Sequence, residues 1–287
     1  MDKSLEARYL ALYRECFPED SEKCTEIMFG KLNACPLVYI SEKGEMLSAL
    51  RLVPKKLFYA NSVTEIPHVV GLGTPVKYRH KGYAAALLKK TFALCREKGF
   101  PFITLYPFSH DFYRNFSFAT VSYDYPRVSH TDVTADVNDL IEIYDAFHEN
   151  LDYGFVRKKE DFDFYKAIAS ADGKDFFFTA DGGYLSPDEY LPASFFTGSA
   201  EGVMARIANL PAALALTKAS LPFPIKVTDR FCSENNLVFS LDKGKIIPSD
   251  GFELELDIAD LTSACFGKND LLRPYFPEKK GYLADKY

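Results

Sequence analysis

No apolar run in this 287-residue chain approaches the roughly 20 residues that a helix needs to cross a bilayer. No C-x-x-C pair occurs among its six cysteines, Cys16, Cys24, Cys35, Cys95, Cys232 and Cys265. In a chain of this length they read as reduced, mostly buried thiols, not as a disulfide frame or a zinc site. His68, His110, His130 and His148 show no metal-ligand spacing either, so no metal is expected. There is no internal repeat and no low-complexity tract. The 16 Gly and 16 Pro keep no fixed period, which excludes a collagen-like chain. The opening stretch, MDKSLEARYLALYREC, is charged and amphipathic and shows no secretion signal. A cytoplasmic protein is expected.

What is present is ordinary for a globular protein: 47% hydrophobic and 26% charged residues. That much apolar material excludes a mainly disordered chain. Length alone suggests about two domains. The net charge of −6 is unevenly spread. Residues 1–125 hold 17 Lys and Arg against 13 Asp and Glu, and residues 126–287 hold 17 against 27. The acidic half argues against nucleic acid, whose phosphates need neutralising by Lys and Arg. It suits a cationic ligand, with the basic half toward an anionic one.

Periodicity organises the first 125 residues. Leu5, Tyr9, Leu12, Tyr13 and Cys16 recur at helical spacing, and Pro18 closes that helix. Ser21 is a plausible N-cap for a second helix. LVYI and MLSALRLVPKKLFY then flank a Gly-containing turn and predict a hairpin. VTEIPHVVGLGT predicts a strand ending near Thr74, AAALLKKTFALCREK a helix closed by Gly99, and FITLYP a strand. In the middle, VNDLIEIYDAFHEN and EDFDFYKAIAS read as helices, and the segments around FFFT and YLPAS as a hairpin pair. The tail unit restarts at Val203 with VMARIANL as a strand, PAALALTKA as a helix, three further strands and a short helix at Asp260–Phe266.

One turn carries chemistry. Arg79-x-x-Gly82-x-Ala84 stands where a strand passes into a helix. A helix N-terminus offers unpaired amides and the positive end of a dipole, and small residues let a diphosphate approach the backbone. Arg79, His80 and Lys81 add positive charge. The segment resembles motif A of the GCN5-related N-acetyltransferase (GNAT) superfamily, whose strand, turn and helix hold the pyrophosphate of acetyl-CoA. Downstream, LYPFSHDFYRNFSF resembles the strand and following phrase of the same superfamily. More narrowly, the layout resembles acetyltransferases of the enhanced-intracellular-survival (Eis) type. VMARIANLPAALAL, IKVTDRFCSENN and FELELDIADLTSACFG resemble their sterol-carrier-protein-like domain.

The resemblance implies an α/β (α+β) chain in three parts. Residues 1–125 would form a GNAT domain with a mixed, mostly antiparallel sheet. Residues 126–200 would be a shortened, degenerate second acetyltransferase-like region, and residues 201–287 a sterol-carrier-protein-like α+β domain with the tail. It further implies acetyl-CoA as co-substrate, no metal, a homo-oligomer, and transfer of acetyl to a primary amine. The charge split adds that the amine belongs to a cationic small molecule, polyamine- or aminoglycoside-like. Carboxylates around Asp145–Asp152 and Glu253–Asp260 are the candidates to hold it. Three departures stand out: Pro75 falls one position early with Val76 in its place, Ser117 replaces a glycine, and the middle segment is short for a full second fold.

For site residues, the resemblance assigns Tyr113 as general acid. A phenol of pKa about 10 can give a proton to a thiolate of pKa about 8.5 at little cost. The α-carboxylate of Tyr287 would accept the amine's proton, although at a pKa near 3.5 it is a weak base. Leu72, Gly73 and Thr74 would present backbone groups to the pantetheine arm. His80, Lys81, Gly82, Tyr83, Ala84 and Ala85 would wrap the diphosphate, with Phe108 and Ser109 beside the cofactor. Two other readings stay open: a silent protein binding CoA or a small apolar ligand, and a lysine acetyltransferase acting on a protein.

Overall fold

The computed structural model describes residues 3–284. Helix α1 (Lys3–Cys16) buries Tyr9, Leu12 and Tyr13, and α2 (Glu22–Leu32) opens on Ser21, whose side chain accepts from Cys24 N at 3.2 Å. Such a cap is worth about 1 kcal/mol. Both helices pack on a large sheet of eight strands, numbered here along the chain. These are β1 (Leu37–Glu42), β2 (Glu45–Tyr59), β3 (Ser62–Gly73), β4 (Phe102–Leu105), β5 (Ala119–Thr120), β6 (Tyr153–Val156), β7 (Met204–Ile207) and β8 (Gly281–Tyr282). Their order is β8-β6-β2-β3-β4-β7-β5, with β1 on the first half of β2. The β1–β2 hairpin turns at Lys43 (φ 48°) and Gly44 (φ 83°), both left-handed as a tight hairpin of this twist requires.

The sheet is mixed and mostly antiparallel, as the sequence implied. Only β3–β4 and β6–β8 run parallel. Helix α3 (Tyr83–Glu97) makes the crossover between β3 and β4, burying Leu87, Leu88, Phe92 and Cys95 against the sheet. After α4 (His110–Arg114) the middle segment supplies α5 (Val137–His148) and α6 (Lys159–Ala171). Its hairpin forms between Phe177–Thr179 and Tyr184–Leu185, and Tyr190–Leu191 adds a third strand.

One strand falls elsewhere than expected. The segment opening at Val203 does not begin a separate unit: β7 lies between β4 and β5, antiparallel to both. All four of its residues are buried, and a strand covered on both faces carries no alternation to say which sheet it joins. Arg206, fully buried on β7, bonds the equally buried Asp229 and lies 4.2 Å from the Phe92 ring centroid. The rest of the tail builds α7 (Leu210–Thr217), α8 (Ile258–Cys265) and a four-stranded sheet from Ile225–Thr228, Leu237–Asp242, Lys245–Pro248 and Leu254–Asp257. Its core is continuous with the large sheet: Leu57, Tyr59 and Phe102 share one cluster with Leu210, Ile225, Phe239 and Phe266.

Candidate active site

The site begins where β3 and β4 part. Their pairing covers only His68–Thr104 and Val69–Leu105, while β3 runs on to Gly73 along β2. The edge of β3 beyond Val69 is therefore not paired to β4, and the chain turns there into α3. Val76–Tyr78 forms a single 3-10 turn, and Arg79 Nε bonds back to Thr74 O at 3.0 Å. His80 (φ 61°) and Gly82 (φ 83°) are both left-handed, which sends the backbone into the helix. The first helical bond runs from Ala86 N to Gly82 O, so the amides before it have no partner within the helix.

A cavity of about 690 Å³ opens at this point. Nine of the eleven residues expected at a cofactor line it: Leu72, Gly73, Thr74, His80, Gly82, Tyr83, Ala84, Ala85 and Phe108. Lys81 and Ser109 do not. Lys81 stands 5.6 Å from the centroid of the Tyr78 ring, and Ser109 caps α4, accepting from Phe112 N at 3.3 Å. The unforeseen wall residues are Cys16, Phe17, Glu19, Tyr78, Phe112 and Phe116. The i, i+4 spacing of Phe112 and Phe116 was the signal for two of them. A Cβ on Gly73 would come within 2.9 Å of Leu12 and 3.0 Å of Cys16 Sγ, so α1 lies directly on the strand end.

Tyr113 is buried on α4 and does not line the cavity. Its ring meets Phe108 at 5.5 Å and Phe112 at 5.0 Å, both edge-on, and both of those rings form the wall. Desolvation pushes its phenol above the ordinary value, so the proton stays on at neutral pH. Ser117, at the family's glycine position, is indeed left-handed (φ 57°). Tyr287 lies outside the described residues.

A second cavity, of about 350 Å³, shares Glu19 with the first. Its carboxylates are Glu19, Asp20, Asp172, Asp188 and Glu189; the cations Arg157 and Lys174, and Ala284, are also on its wall. Burial and the neighbouring Glu19, Asp172 and Asp188 push the Asp20 carboxyl up, although Tyr13 donates to it at 2.6 Å. Neither Asp145–Asp152 nor Glu253–Asp260, the stretches expected to hold the amine, contributes to that wall. Asp152 instead accepts from Lys280 N at 2.8 Å, and Asp257 caps α8. Among the described residues no group of three or more His, Cys, Asp or Glu could hold a metal, and no helix is long and apolar enough to cross a membrane.

Residues 1–121 match the acetyltransferase (GNAT) domain family, and residues 210–274 the sterol carrier protein domain family. The chain carries a GNAT acetyltransferase domain and a sterol carrier protein domain, and is an acetyl-CoA-dependent acetyltransferase. No curated protein matches this acetyltransferase by sequence. Solved structures match it along nearly its whole length. An Enterococcus faecalis protein of unknown function, described as a probable N-acyltransferase, has a TM-score of 0.76 at 16% identity, covering 100% of this chain and 98% of that one. Eis1 of Mycobacterium abscessus gives 0.72 at 14%, over 95% and 90%. A GCN5-related N-acetyltransferase of Kribbella flavida gives 0.69 at 14%, over 99% and 98%. At these identities the likeness is one of fold.

Proposed function

We propose that this acetyltransferase transfers acetyl to a primary amine on a cationic small molecule, polyamine- or aminoglycoside-like. The observation that carries the reading is the acidic cavity sharing Glu19 with the cavity at β3 and α3. Acetyl-CoA supplies the acetyl group as a thioester. Leu72, Gly73 and Thr74 would hold the pantetheine arm on the uncovered strand edge. The turn from His80 to Ala85 would face the diphosphate with backbone amides, which suits an anion at a helix N-terminus.

The chemistry left to the protein is orientation and proton movement. Carboxylates attract a polycation but also favour the ammonium form, which cannot attack. One group must therefore take a proton while the others hold neighbouring amines. Tyr113 is the proposed acid; what supports it is its place behind the Phe108 and Phe112 rings of the wall, while burial, by raising its pKa, opposes release of the proton. The α-carboxylate of Tyr287 is the proposed acceptor, and what supports it is that Ala284, three residues earlier, lines the acidic cavity.

The test is thiol release from acetyl-CoA with a panel of polyamines, aminoglycosides and lysine peptides. Release with the small polycations supports the reading; release with peptides alone, or binding without release, overturns it. Added salt should raise KM for a polycation more than for a monoamine, because screening weakens the attraction.

A further inference from the structure

We propose that Arg157 is a positioning residue that fixes the chain's tail across the wall of the acidic cavity, making the tail a built part of the amine end of the site. The proposal rests on the reading of that cavity as the acceptor side. Arg157 follows β6, and its side chain is only 5% exposed. Nη1 donates to Glu189 Oε2 at 2.9 Å and to the Tyr184 hydroxyl at 3.0 Å. Nη2 reaches Glu189 Oε1 at 3.4 Å and donates to the carbonyl of Ala284. The Tyr144 and Tyr165 rings flank the guanidinium, with centroids at 4.6 and 5.2 Å. A buried cation gripped by a carboxylate fork cannot swing away without leaving charge unpaired. The second N–H of Nη2 goes to the tail, while Nε is buried without a partner among the described residues.

The rest of the tail's path is cut to fit. A Cβ at Gly281 would lie 2.1 Å from the buried Tyr153 ring, so only glycine lets β8 lie against β6 there. On the facing strand, a Cβ at Gly154 would meet the His148 ring at 2.5 Å. Lys280 N donates to Asp152 Oδ2 at 2.8 Å, and Leu283 N to Ser122 Oγ at 2.9 Å. Tyr282, Leu283 and Ala284 are at most 2% exposed. Apolar burial accounts for Tyr282 and Leu283. It does not fix the direction of the Ala284 carbonyl, and that is what Arg157 does, on the same wall as Asp172 and Asp188.

Two variants of the full-length protein test this. Arg157→Lys keeps the charge but cannot hold Glu189 bidentately and reach Ala284 as well. Gly281→Ala leaves Arg157 intact and blocks the seat of the tail. Amide exchange at Leu283 and Ala284 is read by mass spectrometry, and steady-state kinetics with acetyl-CoA and spermine. Both variants should speed tail exchange and lower kcat about tenfold or more, with KM for acetyl-CoA within about twofold of the parent. Tail exchange unchanged in Arg157→Lys overturns the proposal, and so does a KM for acetyl-CoA rising in step with the loss of turnover. A parent enzyme that acetylates no cationic amine would sink the acceptor reading alone, since the exchange comparison would still decide whether Arg157 fixes the tail.

Discussion

The two cavities that share Glu19 are built in opposite ways. The wall at β3 and α3 comes mostly from one stretch, Leu72–Ala85, closed by aromatic residues of Phe108–Phe116 and the end of α1. The acidic cavity draws on residues 19–28, 157–189 and Ala284, segments 129 and 95 residues apart. A wall for a fixed nucleotide can be a local strand–turn–helix device, because backbone amides and a strand edge suffice. A wall for an amine needs an excess of carboxylates brought together, here five against Arg157 and Lys174, and only tertiary structure does that.

Tyr113 gives the sharpest test of the first region. Tyr113→Phe keeps the ring that packs against Phe108, Phe112 and Phe118 but removes the proton. The expected result is a fall in kcat of about 100-fold or more, with KM for acetyl-CoA little changed. Full turnover would show the phenol to be a packing group behind the wall and overturn the proposed acid.

Acid should separate the regions next. His148, buried on α5 beside Gly154 and the tail, has its pKa pushed down to about 4, chiefly by desolvation. Its Nδ1 donates to Tyr144 O at 2.8 Å, which favours the charged form less than burial opposes it. The unfolded imidazole takes a proton near pH 6.5 and the folded one does not, so the unfolded state binds more protons between pH 6.5 and 4. Stability therefore falls as pH drops through that window, by roughly 2–3 kcal/mol at pH 4.5, and this group contributes nothing above it. Denaturant titrations at pH 7 and 4.5 should show a smaller acid loss in His148→Gln than in the parent. Equal losses would place the acid sensitivity elsewhere.

How far the sequence spoke follows the same division. The helices, the β1–β2 hairpin and the β3–α3–β4 crossover were legible because each is specified locally, by period, cap and turn. Eight cofactor-wall residues followed from the strand–turn–helix motif and Phe108 from the downstream phrase. The placement of β7 was not legible, since a strand buried on both faces has no polar side to betray its neighbours. The acidic wall was misjudged for a related reason. Charge counted over halves of the chain put the carboxylates after residue 125, whereas Glu19 and Asp20 come from the basic half. A sequence average cannot tell a carboxylate that caps a helix, as Asp257 does, from one that faces a cavity. Neutralising Asp172 and Asp188 together, as Asn, should raise KM for spermine about tenfold and leave KM for acetyl-CoA alone. A rise in both constants would mean that the two cavities are not separable.

The smallest effect lies at two left-handed residues on the cofactor side. Ser117 (φ 57°) and His80 (φ 61°) both adopt a backbone conformation that a side chain disfavours. The strain is about 1–2 kcal/mol, and the extra freedom of an unfolded glycine takes back about 0.5–1 kcal/mol. Each substitution by glycine should therefore gain about 0.5 kcal/mol, a rise in Tm of about 1–2 °C. The two positions differ in what else they touch. Ser117 is buried away from the cavity, whereas His80 is exposed on its wall. Ser117→Gly should raise Tm with kinetics unchanged. His80→Gly should raise Tm by a similar amount while raising KM for acetyl-CoA a few-fold, because the imidazole proposed to face the diphosphate is lost. If KM stays constant in both, the turn binds through its backbone alone, and the positive charge of its side chains is a surface feature of the basic half.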